Sequence, residues 1–233
     1  MTVAGHSSRF RARAVTGAAL LLAASAALAG CGASTQAQTT TTAPKTTAAS
    51  TPSDGLRGLI PTPLPIKPSF VLTNTAGQPY NLDAATKGKL TYLFFGYTHC
   101  PDACPATMSY LTYALHQQPA AIRRQVAVVF VTVDPKRDTG PVLRRWLDHY
   151  STSFVGVTGT LRQIGEVEHQ AGIPTAIKDP NAGKNAGYQV EHSSFLFAYS
   201  PDGRAHVVYA QGFKPGDYAH DLPLLLKFRS PQG

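Results

Sequence analysis

The sequence predicts an α/β protein with a thioredoxin-like fold, in which a central mixed β-sheet is flanked by helices. The first observation is a short apolar run, Leu90 to Phe95, that has the composition of a strand. The second is Val126 to Val133, which is almost wholly β-branched or aromatic, as expected of a strand buried on both faces. The third is a hairpin pattern near the C-terminus, followed by a final helix. Strand–helix–strand followed by a hairpin and a helix is the thioredoxin-like order.

The other elements follow from local signals. Between the two strands, Met108, Leu111 and Leu115 have helical spacing and predict a helix over Ala103 to His116. Pro141 suits the first turn of a helix because that turn does not need its missing N–H. The hairpin strands are joined by a Pro-Asp-Gly turn. The later elements are predicted at Gly140 to Tyr150 (helix), Phe154 to Val157 (strand), Leu161 to Ala171 (helix), Ser194 to Ser200 and His206 to Gln211 (hairpin), and Pro215 to Phe228 (helix).

The N-terminal residues 1–30 have the pattern of a secretory signal peptide of the lipoprotein type. Three arginines precede an apolar, small-residue stretch that ends in Leu28-Ala29-Gly30-Cys31. This pattern predicts that Cys31 is lipid-modified and becomes the mature N-terminus. The alternative is an uncleaved membrane anchor, but the stretch is shorter than the roughly 18–20 residues that cross a bilayer. We therefore expect a protein lipid-anchored to the cell membrane on its extracytoplasmic face.

Residues 31–66 are predicted to form a disordered tether, and residues 67–233 a single domain. The tether is rich in Thr, Ala and Pro and has too few large apolar residues to offset the cost of ordering its backbone. The chain has a formal net charge of +8, and about +5 remains without the arginines of the signal segment. No Lys/Arg block or aromatic platform accompanies this charge, so we expect no nucleic-acid partner and a mild attraction to anionic lipid.

The most informative feature is the pair Cys100 and Cys104, which follows the first strand directly. Cys100 is expected in the turn after the strand and Cys104 in the first turn of the next helix, where free N–H groups and the helix dipole favour a thiolate. A structural disulfide is the simplest alternative. It would close a loop of only a few residues and would stabilise little, so a functional role is the better interpretation.

Two soft thiolates that lie close together suit monovalent copper, and divalent copper if an imidazole joins them. They also suit disulfide exchange, in which one cysteine attacks and the other resolves. His99 is adjacent to Cys100, but neighbouring residues do not share a helix face, so we expect it to point away. Asp102 is expected to complement the helix N-terminus. A structural zinc would need a fourth protein ligand, which the sequence does not offer.

Four motifs, taken together, resemble the Sco/SenC family of copper-binding thioredoxin-like proteins. They occur in the family's order: Phe94 to Pro105 around the cysteines, Val131 to Thr139, Val155 to Thr160, and Val190 to Ser193 before a strand and a Pro-Asp-Gly turn. The similarity covers roughly Phe70 to Leu226. Glu191 stands where the family more often has Asp, and both are carboxylates.

The resemblance implies a copper site formed by Cys100, Cys104 and His192. It also implies delivery of copper to the dinuclear (CuA) centre of cytochrome c oxidase, or reduction of the cysteines of that centre. The partner would be the copper-carrying oxidase subunit or another copper-accepting protein. The Gly/Asn/Lys-rich stretch Ile177 to Tyr188 is expected to be a mobile loop that could close over the metal.

Three classes of function stay open. The first is an extracytoplasmic metallochaperone with Cys100, Cys104 and His192 as ligands. The second is an enzyme, a thiol-disulfide oxidoreductase in which Cys100 and Cys104 are the redox-active pair. Thioredoxin-like enzymes usually carry two intervening residues rather than three, which favours metal. The third, a peroxiredoxin-like peroxidase, lacks that family's isolated cysteine motif.

Overall fold

The structure is a computed structural model, which describes residues 55–180 and 187–229. The strands are β1 Val71–Asn74, β2 Pro79–Asn81, β3 Leu90–Gly96, β4 Val126–Thr132, β5 Val155–Thr158, β6 Ile177–Asp179, β7 Gln189–Glu191, β8 Leu196–Tyr199 and β9 Ala205–Tyr209. The helices are α1 Leu82–Thr86, α2 Ala103–His116, α3 Ala120–Arg123, α4 Gly140–Asp148, α5 Leu161–Gln170 and α6 Pro215–Leu225.

A seven-stranded mixed sheet with the order β2-β1-β5-β4-β3-β8-β9 forms the centre of the fold. β3, β4 and β5 are parallel, while β8, β9, β1 and β2 pair antiparallel. All seven residues of β3 are buried, which agrees with its apolar composition. This arrangement confirms the predicted thioredoxin-like class. It places the segment that follows β3, and therefore the cysteine pair, at the centre of one sheet edge.

Two of the longer helices begin at a residue whose side chain caps the helix. Asp102 caps α2 and accepts a hydrogen bond from the Ala103 N–H. Thr160 and Gln163 form a capping box at the start of α5. α2 packs against α6, and α4 packs against β5. The contact between α2 and α6 includes the rings of Tyr110 and Tyr218.

The predicted long elements are confirmed within a few residues, and α2 has the predicted bounds. Six elements were not predicted: β1, β2, α1, α3, β6 and β7. Each has only three to five residues. A segment of that length holds less than two turns of a helix or only a few alternating strand residues. The spacing of its apolar residues therefore cannot predict its secondary structure.

The folded part begins before residue 67, where the predicted tether ends. Leu56 is buried, Leu59 pairs with Val208, and Ile66 pairs with Arg204. The Asp221 carboxylate accepts hydrogen bonds from the N–H groups of residues 57 and 58. Residues 55–66 are therefore an ordered strap along the outer strand β9. The sequence did not reveal this strap because long-range backbone pairing leaves no mark in local composition.

The predicted signal segment, Cys31 and the tether up to residue 54 lie outside the described residues. Within residues 55–180 and 187–229, no helix is long and apolar enough to cross a membrane. The segment predicted as a mobile loop is partly a short antiparallel pair, because β6 pairs with β7. Residues 181–186 of that segment lie outside the described part.

Candidate metal centre

The two sulfur atoms meet at the junction of β3 and α2. After β3 ends at Gly96, a turn brings the Cys100 N–H to within 3.2 Å of the Tyr97 carbonyl oxygen. Cys104 lies one helical turn further, and its N–H donates to the Cys100 sulfur over 3.4 Å. Cys104 is fully buried, whereas Cys100 keeps 8% of its surface exposed. Cys100 is therefore the more accessible of the two residues.

His192 completes the cluster from a distant part of the chain. It lies between β7 and β8, and β8 is the antiparallel neighbour of β3. Its Nδ1 is 2.9 Å from the Ser193 carbonyl oxygen. A carbonyl only accepts, so Nδ1 carries the proton in a neutral ring and Nε2 is left with a lone pair. This Nε2 lies 3.7 Å from the Cys104 sulfur, and one ligand atom from each of Cys100, Cys104 and His192 lies within 4.8 Å of the others.

The two thiols are electronically unequal. The Cys104 thiol donates a hydrogen bond to the Cys100 sulfur, and this bond, with further donors from His192 and the backbone, outweighs burial and lowers the pKa of Cys100 to about 4. Burial, together with the neighbouring Cys100 sulfur, raises the pKa of Cys104 well above its usual value. The sequence predicted a helix terminus that favours thiolate. The structure assigns the thiolate to Cys100 and the buried thiol to Cys104.

Burial also acts on His192, where it disfavours the charged ring. Hydrogen bonds to the Cys100 sulfur and the Ser193 carbonyl outweigh this effect and raise the pKa of His192. The aromatic rings of Tyr97 and Phe94 meet the imidazole edge-to-face, with centroids 5.4 and 6.4 Å away. These contacts fix the ring plane, so Nε2 stays directed at the sulfurs.

Gly96 is a positioning residue that the sequence analysis missed. A Cβ atom at this position would lie 2.7 Å from the Cys104 sulfur, 2.8 Å from Phe94 and 3.0 Å from Phe130. Any side chain at residue 96 would therefore occupy the space of the sulfur atom. The signal in the sequence was a glycine that ends a buried strand just before the cysteine motif.

Asp138 braces the turn that carries Cys100. This fully buried carboxylate accepts hydrogen bonds from the Thr98 N–H at 2.9 Å, the Thr98 hydroxyl at 2.6 Å and the Thr132 hydroxyl at 2.7 Å. The turn is thereby tied to the end of β4. The neighbouring Arg137 pairs with Asp134 and not with Asp138.

A second group of residues connects the β6–β7 segment to the site. Tyr188 donates to the Asp134 carboxylate at 2.7 Å, and Arg137 donates to the Tyr188 carbonyl oxygen at 2.9 Å. The Arg137 guanidinium stacks over the Tyr188 ring, and it also approaches the Tyr97 ring. Tyr97 contacts the His192 ring, so this group of residues helps to hold the imidazole in place through Tyr97.

The other sequence candidates stay outside the cluster. The imidazole of His99 is half-exposed and contacts the Thr98 hydroxyl at 3.0 Å, as expected for a residue that points away. Asp102 acts as the N-cap of α2. Among the described residues, one group of three or more His, Cys, Asp or Glu side chains has a suitable spacing for a metal, and it consists of Cys100, Cys104 and His192. Two thiols and one imidazole are a donor set that fits copper.

The fold and the site thus define a class: a thioredoxin-like protein with two cysteines at the start of a helix and one imidazole facing them. Comparison with known proteins then assigns the family. The sequence model of the SCO1/SenC family matches residues 61–227, which is most of the chain. The chain belongs to the SCO1/SenC family.

Individual relatives agree with this assignment. A putative copper-binding protein of Stutzerimonas stutzeri is 36% identical over 60% of this chain and 68% of its own length. The copper-bound structure of Bradyrhizobium japonicum ScoI is 30% identical with a TM-score of 0.61, covering 69% of this chain and 99% of that one. The apo Sco1 structure of Thermus thermophilus is 29% identical with a TM-score of 0.64, covering 75% of this chain and 99% of that one.

Proposed function

We propose that this protein is an extracytoplasmic copper-binding metallochaperone that assists assembly of the CuA centre of cytochrome c oxidase. The observation that carries the proposal is the convergence of the Cys100 and Cys104 sulfurs and a His192 nitrogen within 4.8 Å. Cys100 and Cys104 are close in sequence, but His192 is 88 residues away from Cys104. A buried imidazole held against two sulfurs has a clear use as a third copper ligand.

Copper is the metal that this donor set fits best. Thiolates select monovalent copper, and an added imidazole accommodates the divalent ion. The low pKa of Cys100 supplies one thiolate at neutral pH, and metal binding would deprotonate Cys104. Similarity to a putative copper-binding protein and to a copper-bound ScoI supports the same metal. Structural zinc is less suitable because it requires four ligands.

The oxidase role rests on the family resemblance and on the accessibility of the site. A delivery protein must release its metal, so its ligands have to be reachable by the cysteines of an acceptor. Cys100 retains some exposure and lies at the edge of the sheet. A three-ligand site leaves room for an incoming thiolate, so copper can pass by ligand exchange to the copper-carrying oxidase subunit or another acceptor.

Lipid attachment at Cys31 would hold the domain on the extracytoplasmic face of the cell membrane. The N-terminal sequence pattern supports this part of the proposal. We expect the mature protein to begin with a lipid-modified Cys31 and to fractionate with membranes. Mass spectrometry of the mature N-terminus tests this, and an unmodified terminus beyond residue 31 would contradict it.

A second candidate function, thiol-disulfide exchange, is favoured by one specific observation. Cys100 is a low-pKa thiolate that keeps 8% of its surface exposed, next to a fully buried thiol, which is the arrangement of an attacking and a resolving cysteine. In that reaction the Cys100 thiolate attacks a target disulfide and releases one target thiolate. The Cys104 thiol then gives its proton to the released target thiolate and attacks the Cys100 sulfur of the mixed disulfide, which releases the second target thiolate, so that the target is reduced and the pair oxidised.

The variant His192→Ala separates the two functions. An imidazole completes a copper site but is neither the attacking nor the leaving group in disulfide exchange, so this variant should lose stable divalent copper while its cysteines remain reversibly oxidisable. His99→Ala is the matched control, because His99 is also next to the cysteines but lies outside the cluster. Copper content after gel filtration and the spectrum of the copper-loaded protein are the readouts in vitro.

The same variants decide the role in cells. We expect His192→Ala to lose support for oxidase assembly, measured as CuA absorbance and oxidase activity in membranes, and His99→Ala to retain it. Normal oxidase assembly with His192→Ala would place the oxidoreductase function first. Full copper retention by both Cys100→Ala and Cys104→Ala would contradict the ligand assignment itself.

A further inference from the structure

A cavity of about 570 Å³ lies at the opposite edge of the sheet from the sulfur cluster. Lys89, directly before β3, and Val126, the first residue of β4, both line it. Cys100 follows the other end of β3, and a strand of seven residues spans about 20 Å. The helix α2 connects the two places, since it starts beside the cysteines and ends at His116 in the cavity wall. This cavity therefore has no part in the metal centre.

The cavity wall is cationic. Lys89, Arg123 and Arg124 line it together with the imidazole of His116, and no carboxylate does. In the described part of the chain, none of these four side chains forms an ion pair. A further cation, Arg229, donates to the Gln125 side chain at 2.9 Å, directly beside Arg124. Like charges gathered around one concavity repel each other and attract an anion.

The ends of helices explain part of this charge but not all of it. Arg123 ends α3, where a cation complements the helix dipole. The Arg123 guanidinium is also fixed by a hydrogen bond to the Gln118 carbonyl oxygen at 2.8 Å. Lys89 ends no long helix and is half-buried at the cavity wall, and its ammonium group has no carboxylate partner among the described residues. Neither a helix terminus nor a carboxylate partner therefore accounts for the position of the Lys89 ammonium group, and an anion in the cavity would provide one.

Polar and apolar groups complete the lining. The hydroxyls of Ser151 and Ser153 lie 2.8 Å apart at the wall; one donates to the other, which leaves one hydroxyl proton to donate to an oxyanion. Leu115, Val126 and Val128 add an apolar surface. Guanidinium groups, an ammonium group and hydroxyls are the donors that bind phosphate oxygens.

We propose that this cavity is a binding site for a phosphate-bearing anion, with Lys89 and Arg124 as its principal cationic contacts. The ligand source is either the headgroup of an anionic phospholipid or a soluble phosphate compound. In either case the ligand binds at the edge of the sheet remote from the cysteines. A phospholipid headgroup bound here would leave the sulfur cluster on the side directed away from the bilayer.

The test uses the chain from residue 32 onward, which lacks Cys31 and so carries no lipid, because residues 55–229 contain the whole sheet and its core. Binding is measured to phosphatidylcholine vesicles with and without phosphatidylglycerol, and to inorganic pyrophosphate by titration calorimetry. The test variant is Lys89→Glu/Arg124→Glu. The control is Lys87→Glu/Arg145→Glu, which changes the net charge equally at two exposed residues that do not line the cavity.

We expect the wild type to bind at least one of the two probes, with an affinity that falls as salt is added. Loss of the two cavity cations should weaken this binding about thirtyfold, and the control should bind about as the wild type does. Binding to phosphatidylglycerol vesicles alone assigns a lipid headgroup, and pyrophosphate binding assigns a soluble ligand. If circular dichroism shows that the Lys89→Glu/Arg124→Glu variant does not fold, the same binding measurements are made on Lys89→Gln/Arg124→Gln.

Two results would overturn the proposal. One is that the wild type does not bind pyrophosphate and binds anionic vesicles no more strongly than neutral vesicles. The other is that the control variant loses as much affinity as the cavity variant, because binding would then follow net charge rather than the cavity. Copper content of each variant should be unchanged, which makes failure of this proposal distinct from failure of the proposed copper function.

Discussion

Gly96 offers the sharpest test of how the fold positions the metal centre. The change Gly96→Ala adds a single methyl group, and its Cβ would lie 2.7 Å from the Cys104 sulfur. Favourable contact distances between such atoms are about 3.5–4.0 Å, so the overlap is about 1 Å. The neighbouring rings of Phe94 and Phe130 are also closer than normal contact and are fully buried. Either the sulfur or the strand must therefore move.

The size of the effect follows from this overlap. Overpacking of a buried site costs about 1–3 kcal/mol, which for a chain of this size lowers Tm by about 2–12 °C. A displaced Cys104 sulfur also spoils the geometry of the ligand set. We expect copper affinity to fall about 10–100-fold, as for other changes that disturb the support of metal ligands.

Gly156→Ala is the matched control for this prediction. Gly156 is a buried glycine on β5, and a Cβ there would lie 2.7–2.8 Å from the side chains of Leu147 and Leu143. It should destabilise the protein by a similar amount without touching the sulfur cluster. Thermal unfolding of the apo proteins gives the stability of each variant. Competition with a chromophoric copper chelator under reducing conditions gives the affinity.

Two outcomes would refute the reasoning. If Gly96→Ala binds copper as tightly as the wild type does, then the copper site does not depend on the space that Gly96 leaves beside the Cys104 sulfur. If Gly156→Ala loses as much affinity as Gly96→Ala, the loss reflects general destabilisation. A larger stability loss for Gly96→Ala is compatible with the reasoning because rigid aromatic rings adapt less than leucine side chains.

Two further predictions concern the thiolate and the N-terminal strap. Because the pKa of Cys100 is lowered to about 4, its thiolate persists above that pH and is lost as the pH falls through about 4. Alkylation of the reduced apo protein, followed by mass spectrometry, should therefore modify Cys100 at a nearly constant rate between about pH 5 and 8 and spare the buried Cys104. A rate of Cys100 alkylation that rises about tenfold per pH unit over that range would contradict the low pKa. Asp221→Ala removes the buried acceptor of the Arg57 and Gly58 N–H groups, so the strap should detach and trypsin should cut after Arg57 much faster than in the wild type. Unchanged cleavage would show that backbone pairing with β9 holds the strap without Asp221.

Much of the fold was predictable because its long elements carry strong local patterns. The fully buried β3 and the evenly spaced apolar residues of α2 were read correctly from the sequence. The short pairs β1–β2 and β6–β7 were missed, as was the strap of residues 55–66. In these segments order comes from hydrogen bonds to residues distant in the chain, such as Leu59 to Val208. Local composition holds no record of such partners.

The site was predictable only in part. Two cysteines after a buried strand indicated sulfur chemistry directly, since helix geometry fixes the relation between residues four apart. His192 was proposed as a ligand through the family resemblance, and its role as a ligand stays a prediction. Its proximity to the sulfurs is now explained by the antiparallel pairing of β8 with β3.

The sequence by itself therefore determined the strand–helix order and the position of the cysteine pair at a helix start, and it predicts an N-terminal lipid signal. All three depend on neighbours along the chain. Only the tertiary structure decided which cysteine is the thiolate, because the pKa values of Cys100 and Cys104 depend on burial and on a hydrogen bond between them. It also brought Lys89 and Arg124 together around one cavity. These properties arise from distances between residues that the linear sequence does not contain.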